Sequence, residues 1–138
     1  MVDPQDALTT DIRARLAGIP DPVALLEGLF TASPVAFQIY RVDGHCLLVN
    51  AAFRALFGSE PPPEYNILRD EVAAASGVLD LAHRAFAGET VTSPPFWYDP
   101  RELRQVAVCE GRRVALVASA FPLRDGDGRI AFVAIVFK

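Results

Sequence analysis

Apolar and polar positions change period several times along this chain, and each change marks an element. In residues 4 to 17, Leu8, Ile12 and Leu16 fall one turn apart on an otherwise mostly polar stretch, predicting a helix with a single narrow stripe that ends near Gly18. Asp21-Pro22 then supplies a cap and a first-turn proline for a second helix, whose apolar side is Val23, Leu25, Leu26, Leu29 and Phe30; Ser33-Pro34 stops it. From Val35 to Arg41 the composition becomes that of a strand. Asp43-Gly44 is a tight turn, His45 to Val49 a second strand, and Asn50 the cap of a short helix carrying Phe53, Leu56 and Phe57.

Three consecutive prolines after Ser59-Glu60 force a loop, which Tyr65 and Ile67 are expected to pin to the core. Arg69 to Ala75 predicts a helical turn. Val78 to Ala87 predicts a helix ended by Gly88, with Val78, Leu79, Ala82, Ala85 and Phe86 on its apolar arc, Asp80 and Arg84 opposite, and His83 on the flank. Thr90 to Tyr98 has strand composition broken by Pro94-Pro95, which confines it to a sheet edge. Asp99 to Arg104 reads as a loop and Val106 to Cys109 as a further short strand. The longest strands are Arg112 to Leu123 and Arg129 to Phe137, joined by the turn Asp125-Gly126-Asp127-Gly128; the last is apolar at nearly every position and is expected to be central and covered on both faces. Hairpin links throughout, except for one crossing through helices, give an α+β fold with an antiparallel sheet.

The length of 138 residues suits one domain with a real core, and 51% apolar with 22% charged residues is an ordinary globular composition. A net charge of −4, with Lys138 the only lysine, argues against a nucleic-acid surface, which needs clustered cations to displace counterions. The start lacks a secretory signal, and the longest apolar run, Ile130 to Phe137, is far below the ~20 residues of a membrane-spanning helix; a soluble, cytoplasmic chain is expected. Cys46 and Cys109 lie on separate expected strands with no C-x-x-C pairing and read as reduced, mostly buried thiols rather than a disulfide or a metal site.

The hairpin around Asp43-Gly44, the V-N-x-x-F of Val49 to Phe53, the A-F-A-G-E-T of Ala85 to Thr90 and the closing G-R-R-V-A-L-V-A-S-A-F-P-L-R-D-G-D-G-R-I together resemble a PAS domain, the sensory module of bacterial histidine kinases and related signalling proteins. The resemblance covers Asp21 to Lys138 and leaves residues 1 to 20 as a flanking helix. It implies a five-stranded antiparallel sheet in the order 2-1-5-4-3 with helices over one face enclosing a pocket. Pattern alone would bury Phe37 and Ile39; the resemblance instead turns Gln38 and Tyr40 inward and leaves Phe37 and Ile39 on an outer face covered by N-terminal helices or a partner. It implies a pocket lined by Gln38, Tyr40, Phe53, Phe57, Ile67, Ala82, Phe86, Tyr98, Leu116, Ala118, Val133 and Ile135. Small residues at Ala82 and Ala118 leave room, and Gln38 with the tyrosine hydroxyls offers polar anchors. The alternative is that these residues fill a core.

Some PAS domains ligate haem through a histidine on the helix that here carries His83, but no second partner for the group is visible and a surface role is expected. Flavin photochemistry in this superfamily uses the cysteine of a G-x-N-C-type motif, which is absent. The Asp125 to Gly128 turn lacks the remaining ligands of a calcium loop, no metal site is expected, and no G-x-S-x-G, phosphate loop or H-E-x-x-H occurs. The Leu8, Ile12, Leu16 stripe suits a homodimer interface. The expected function is a non-catalytic sensory domain, the input of a histidine kinase, binding a small ligand or a protein partner and passing the signal to an output after Lys138. The alternatives are a structural dimerisation module with a filled core, and a small enzyme of the cone-shaped α+β type. An enzyme needs an acid or base in the pocket, and the expected lining has no carboxylate.

Overall fold

A computed structural model describes the backbone of residues 4–138, with side chains from Asp11 onward. The chain divides into two compact units, Met1–Ala32 and Ser33–Lys138. The first holds α1 (Pro4–Ala17) and α2 (Pro22–Ala32). Asp21 Oδ1 accepts the Ala24 N–H at 3.0 Å, so the cap read from Asp21-Pro22 forms. Ile12 is exposed and Leu16 half-buried on α1, and the side chain of Leu8 lies outside the described residues. The larger exposed apolar surface belongs to α2, where no residue is buried and Val23, Leu25, Leu26 and Leu29 are 46–70% exposed.

The second unit contains β1 (Ala36–Arg41), β2 (Cys46–Val49), α3 (Ala51–Phe57), α4 (Glu71–Ala75), α5 (Leu79–Phe86), β3 (Val91–Thr92), β4 (Phe96–Tyr98), β5 (Val114–Leu116), β6 (Ala118–Arg124) and β7 (Ile130–Phe137). Short 3₁₀ turns cover Ile67–Arg69 and Pro100–Glu102. The main sheet runs β2-β1-β7-β6-β3, all antiparallel. Counting β3, β6 and β7 as its third, fourth and fifth strands gives the expected 2-1-5-4-3. What differs is that the third and fourth strands are each split in two. Pro94-Pro95 removes two ladder donors from the third, so β3 ends at Thr92 and β4 restarts at Phe96. The fourth divides at Val117, whose amide and carbonyl both bond Lys138, and its first half, β5, pairs with β4 as a separate ribbon.

The alternation along β1 follows the resemblance rather than the bare pattern: Ala36, Gln38 and Tyr40 are buried, while Phe37 and Ile39 are half-buried on the other face. In β7, Val133, Ala134 and Ile135 are buried, yet Phe132 is 36% exposed, so the expected cover on both faces is incomplete at that end. Asn50 does more than cap α3. Its Oδ1 accepts from Phe53 N at 3.1 Å and Phe37 N at 2.9 Å, and its amide donates to Val35 O at 2.9 Å, so one buried side chain ties the start of the sheet to the helix.

The expected strand at Val106 to Cys109 does not form; the segment is an irregular loop. The backbone donors just ahead of it are taken by side chains instead of a neighbouring strand. Glu71 accepts the amides of Arg104 and Gln105, and the Gln105 amide group exchanges hydrogen bonds with both backbone groups of Asn66 at 2.9 and 2.8 Å. Asn66 also binds the β1–β2 turn, donating from Nδ2 to Asp43 O at 2.9 Å, while Ile67 N–H donates to Gly44 O at 3.0 Å.

Gly44 in that turn has φ +95°, and a Cβ there would overlap the Asn66 side-chain oxygen. Gly44→Ala therefore combines left-handed strain with disruption of a buried hydrogen-bonded junction, an expected loss of about 2–4 kcal/mol in chemical denaturation. An unchanged midpoint would show that the junction is not structural.

Candidate functional site

Between the inner face of the sheet and α3, α4 and α5 lies a cavity of about 100 Å³. Its floor is Gln38 of β1, Ile135 and Phe137 of β7, and Ala118 and Ala120 of β6. Phe53 and Phe57 close one wall, Ala82 and Val78 another, and Phe96 and Tyr98 of β4 a third. Pro61, Tyr65, Pro100, Leu103 and Val108 bring the two long loops over it. The aromatic wall is tightly made: Phe57 meets Tyr98 and Phe137 edge-on at centroid distances of 5.8 and 5.2 Å.

Of the twelve residues expected to line a pocket, Gln38, Phe53, Phe57, Ile67, Ala82, Tyr98, Ala118 and Ile135 do so. Tyr40, Phe86, Leu116 and Val133 do not. Tyr40 and Val133 are fully buried in the packed core beside the cavity, where Tyr40 lies 6.4 Å from the Phe86 ring. Leu116 packs with Ala36, Phe53 and Phe57, because the division at Val117 sends β5 out with β4.

The expectation that no carboxylate lines the cavity is also corrected, since Asp70 and Glu60 both do. Glu60 is exposed and paired with Arg54. Asp70 is 1% exposed. Its Oδ1 accepts the Ala73 N–H at 2.8 Å, capping α4, and its Oδ2 accepts the hydroxyls of Tyr65 and Tyr98, each at 2.5 Å. The Asp70-Glu71 pair opening a helical stretch is a cap signal, and two buried tyrosines require a buried acceptor, so both clues to Asp70 stood in the sequence.

Burial is the largest cause raising the pKa of Tyr40, Tyr65 and Tyr98 well above the usual phenol value; the Asp70 carboxylate adds to it, most of all at Tyr98. The phenols thus stay protonated, and those of Tyr65 and Tyr98 act as donors to Asp70. Cys46 is half-buried on β2, 3.6 Å from Gln38 Nε2, with its thiol pKa raised by burial, and Cys109 is exposed; neither lines the cavity. His83 is exposed on α5 and does not line it either. The Asp125 carboxylate accepts the amides of Asp127 and Arg129 and so closes a hairpin turn. Chemically, the cavity is an apolar chamber with a few fixed polar groups and one buried acid.

The described residues of the second unit thus form an α+β module, an antiparallel sheet cupped by short helices around an interior chamber. No family model and no curated protein matches the chain. Solved structures do. A domain of a sensory box sensor histidine kinase/response regulator from Geobacter sulfurreducens is 17% identical, covers 83% of this chain and 91% of its own, and superposes with a TM-score of 0.58. The PAS domain of an HTR-like protein from Haloarcula marismortui is 16% identical over 91% of this chain and 98% of its own, with a TM-score of 0.60. An RNA-binding light-oxygen-voltage receptor gives 0.65 at 20% identity, matching 88% of this chain and 34% of its own. The chain has the PAS fold.

All three tyrosines of the chain have phenol pKa values raised chiefly by burial. Because their folded pKa values lie above the unfolded ones, their contribution to stability is complete below about pH 10 and is lost as pH rises beyond it. Absorbance at the phenolate band is expected to stay flat through about pH 10 in the native protein and to rise only on unfolding. Phenolate appearing in the folded state near pH 10 would contradict the network.

Proposed function

We propose that this chain is a non-catalytic sensory domain, the cytoplasmic input module of a signalling protein of the histidine-kinase kind, and that it binds a small uncoloured ligand in the cavity. The observation that carries this reading is the chamber itself, apolar with few polar groups, and walled by both central strands of the sheet. A ligand there touches Gln38 and Ile135 on strands that are hydrogen-bonded neighbours, next to Phe37, Ile39 and Val136 on the outer face. A change in packing inside would thus be felt outside, and from there by an output following Lys138. No described helix is long and apolar enough to cross a membrane.

Light-oxygen-voltage structures, one of them studied with a flavin analogue, stand among the similar folds. Against a flavin here stand the volume of about 100 Å³, less than the roughly 150 Å³ of a cavity that holds a single benzene ring, and the position of both thiols away from the cavity. Exposure of His83 argues likewise against a haem ligated by it. Enzyme chemistry now has a candidate acid in Asp70, but the other ionisable groups of the lining are engaged, Glu60 with Arg54 and the Tyr65 and Tyr98 hydroxyls with Asp70 itself, which argues against acid-base turnover. The remaining alternative is a structural pairing module.

Pairing belongs to the proposal as well. A helix that is apolar on most of its surface is normally covered, and α2 with the Ile12 stripe of α1 offers that surface to a second copy. Native mass measurement is expected to give a dimer, and Leu26→Glu with Leu29→Glu a monomer that keeps the unfolding transition of the PAS fold. A monomeric wild type would remove the homodimer. In parallel, a thermal-shift screen of small compounds is expected to find ligands that raise the melting temperature by several degrees, as occupancy well above Kd should. No shift with any compound would favour the structural module.

A further inference from the structure

We infer that the cavity is selective for small organic cations, protonated amines of roughly four or five heavy atoms, held by Asp70; this rests on the reading that the cavity binds a ligand at all. The ionisable side chains lining the chamber other than tyrosines are both acids, Asp70 at 1% exposure and Glu60 at the exposed end, and no arginine, lysine or histidine joins them. Glu60 already has Arg54 as its cation. Asp70 has none: no ion pair among the described residues includes it.

A carboxylate offers about four acceptor positions, and three donors reach this one, two at Oδ2 and one at Oδ1. All three are neutral. Neutral donors satisfy geometry but do not supply the opposite charge that normally offsets burial of an acid. An ammonium group beside the less occupied Oδ1 would supply it through a charge-assisted bond, while its hydrocarbon body would lie on Phe53, Phe57, Ala82 and Ala118. Size sets the rest. Scaling from the six carbons of benzene, which a 150 Å³ apolar cavity accepts, about 100 Å³ leaves room for roughly four or five heavy atoms. An anion of the same shape meets two carboxylates and no cation, and is excluded.

Isobutylammonium, isobutanol, propionate and cyclopentane separate the possibilities when titrated calorimetrically into the whole chain. The expected order is isobutylammonium about tenfold or more tighter than isobutanol, with propionate not bound. Equal or better binding of isobutanol or cyclopentane would overturn the cation selectivity and leave the ligand cavity standing. Binding of none would overturn both. Asp70→Asn retains a capping side chain but not the charge, and is expected to abolish the preference for the amine over the alcohol. Should that variant not fold, the wild-type Ala73 amide resonance decides. Its N–H donates to Asp70 Oδ1, so it is expected to move with isobutylammonium, and binding that leaves it unmoved would place the amine elsewhere and overturn the assignment.

Discussion

The Asp70 carboxylate meets three donors from three parts of the chain: Tyr65 at the end of the proline loop, Tyr98 on β4, and the first turn of α4. Each attachment alone is an ordinary buried hydrogen bond, strengthened by the charge of the acceptor. Together they hold three walls of the chamber at fixed separations. Without the acceptor, two phenols would be left buried and unpaired, each at a cost of about 1–3 kcal/mol. The geometry of the cavity depends on this contact more than on any single apolar one, because apolar walls can slide over one another and a shared acceptor cannot be shared at a different spacing.

A second constraint comes from the two prolines at 94 and 95. They end β3 after two residues, and the ribbon of β4 and β5 leaves the main sheet as a result. This places Phe96 and Tyr98 as a wall of the cavity and carries Leu116 into the aromatic cluster of Phe53 and Phe57. Phe137 at the end of the central strand meets both Phe53 and Phe57, so the cavity wall and the sheet share a side chain. The same strand donates Ile135 to the floor, and its neighbours Ala134 and Val136 belong to the outer face.

Periodicity made most of the fold legible: both N-terminal helices, the Asp43-Gly44 hairpin, the Asn50 cap and the proline-broken edge strand appear where the pattern placed them. The facing of β1 was legible only through family resemblance, because Phe37 and Ile39 are as apolar as anything opposite them. Other misreadings share a physical origin. Val106 to Cys109 has strand composition, but its neighbours' donors go to Glu71, a long-range side-chain contact that no local pattern encodes. Tyr40 and Val133 face inward as expected, yet facing inward does not separate a packed core from a chamber beside it. Asp70 is not legible from the apolar strand pattern, because the acid sits at a helix start and is marked only by the two tyrosines that need it.

Ligand sensing by this domain requires that its interior be an open chamber. Diffraction from crystals under xenon pressure tests this directly, since xenon enters dry apolar cavities of this scale without needing any recognised chemistry. Xenon density is expected among Phe53, Phe57, Ala82, Ala118 and Ile135. Side chains closed over that volume, with no xenon inside the domain, would contradict it.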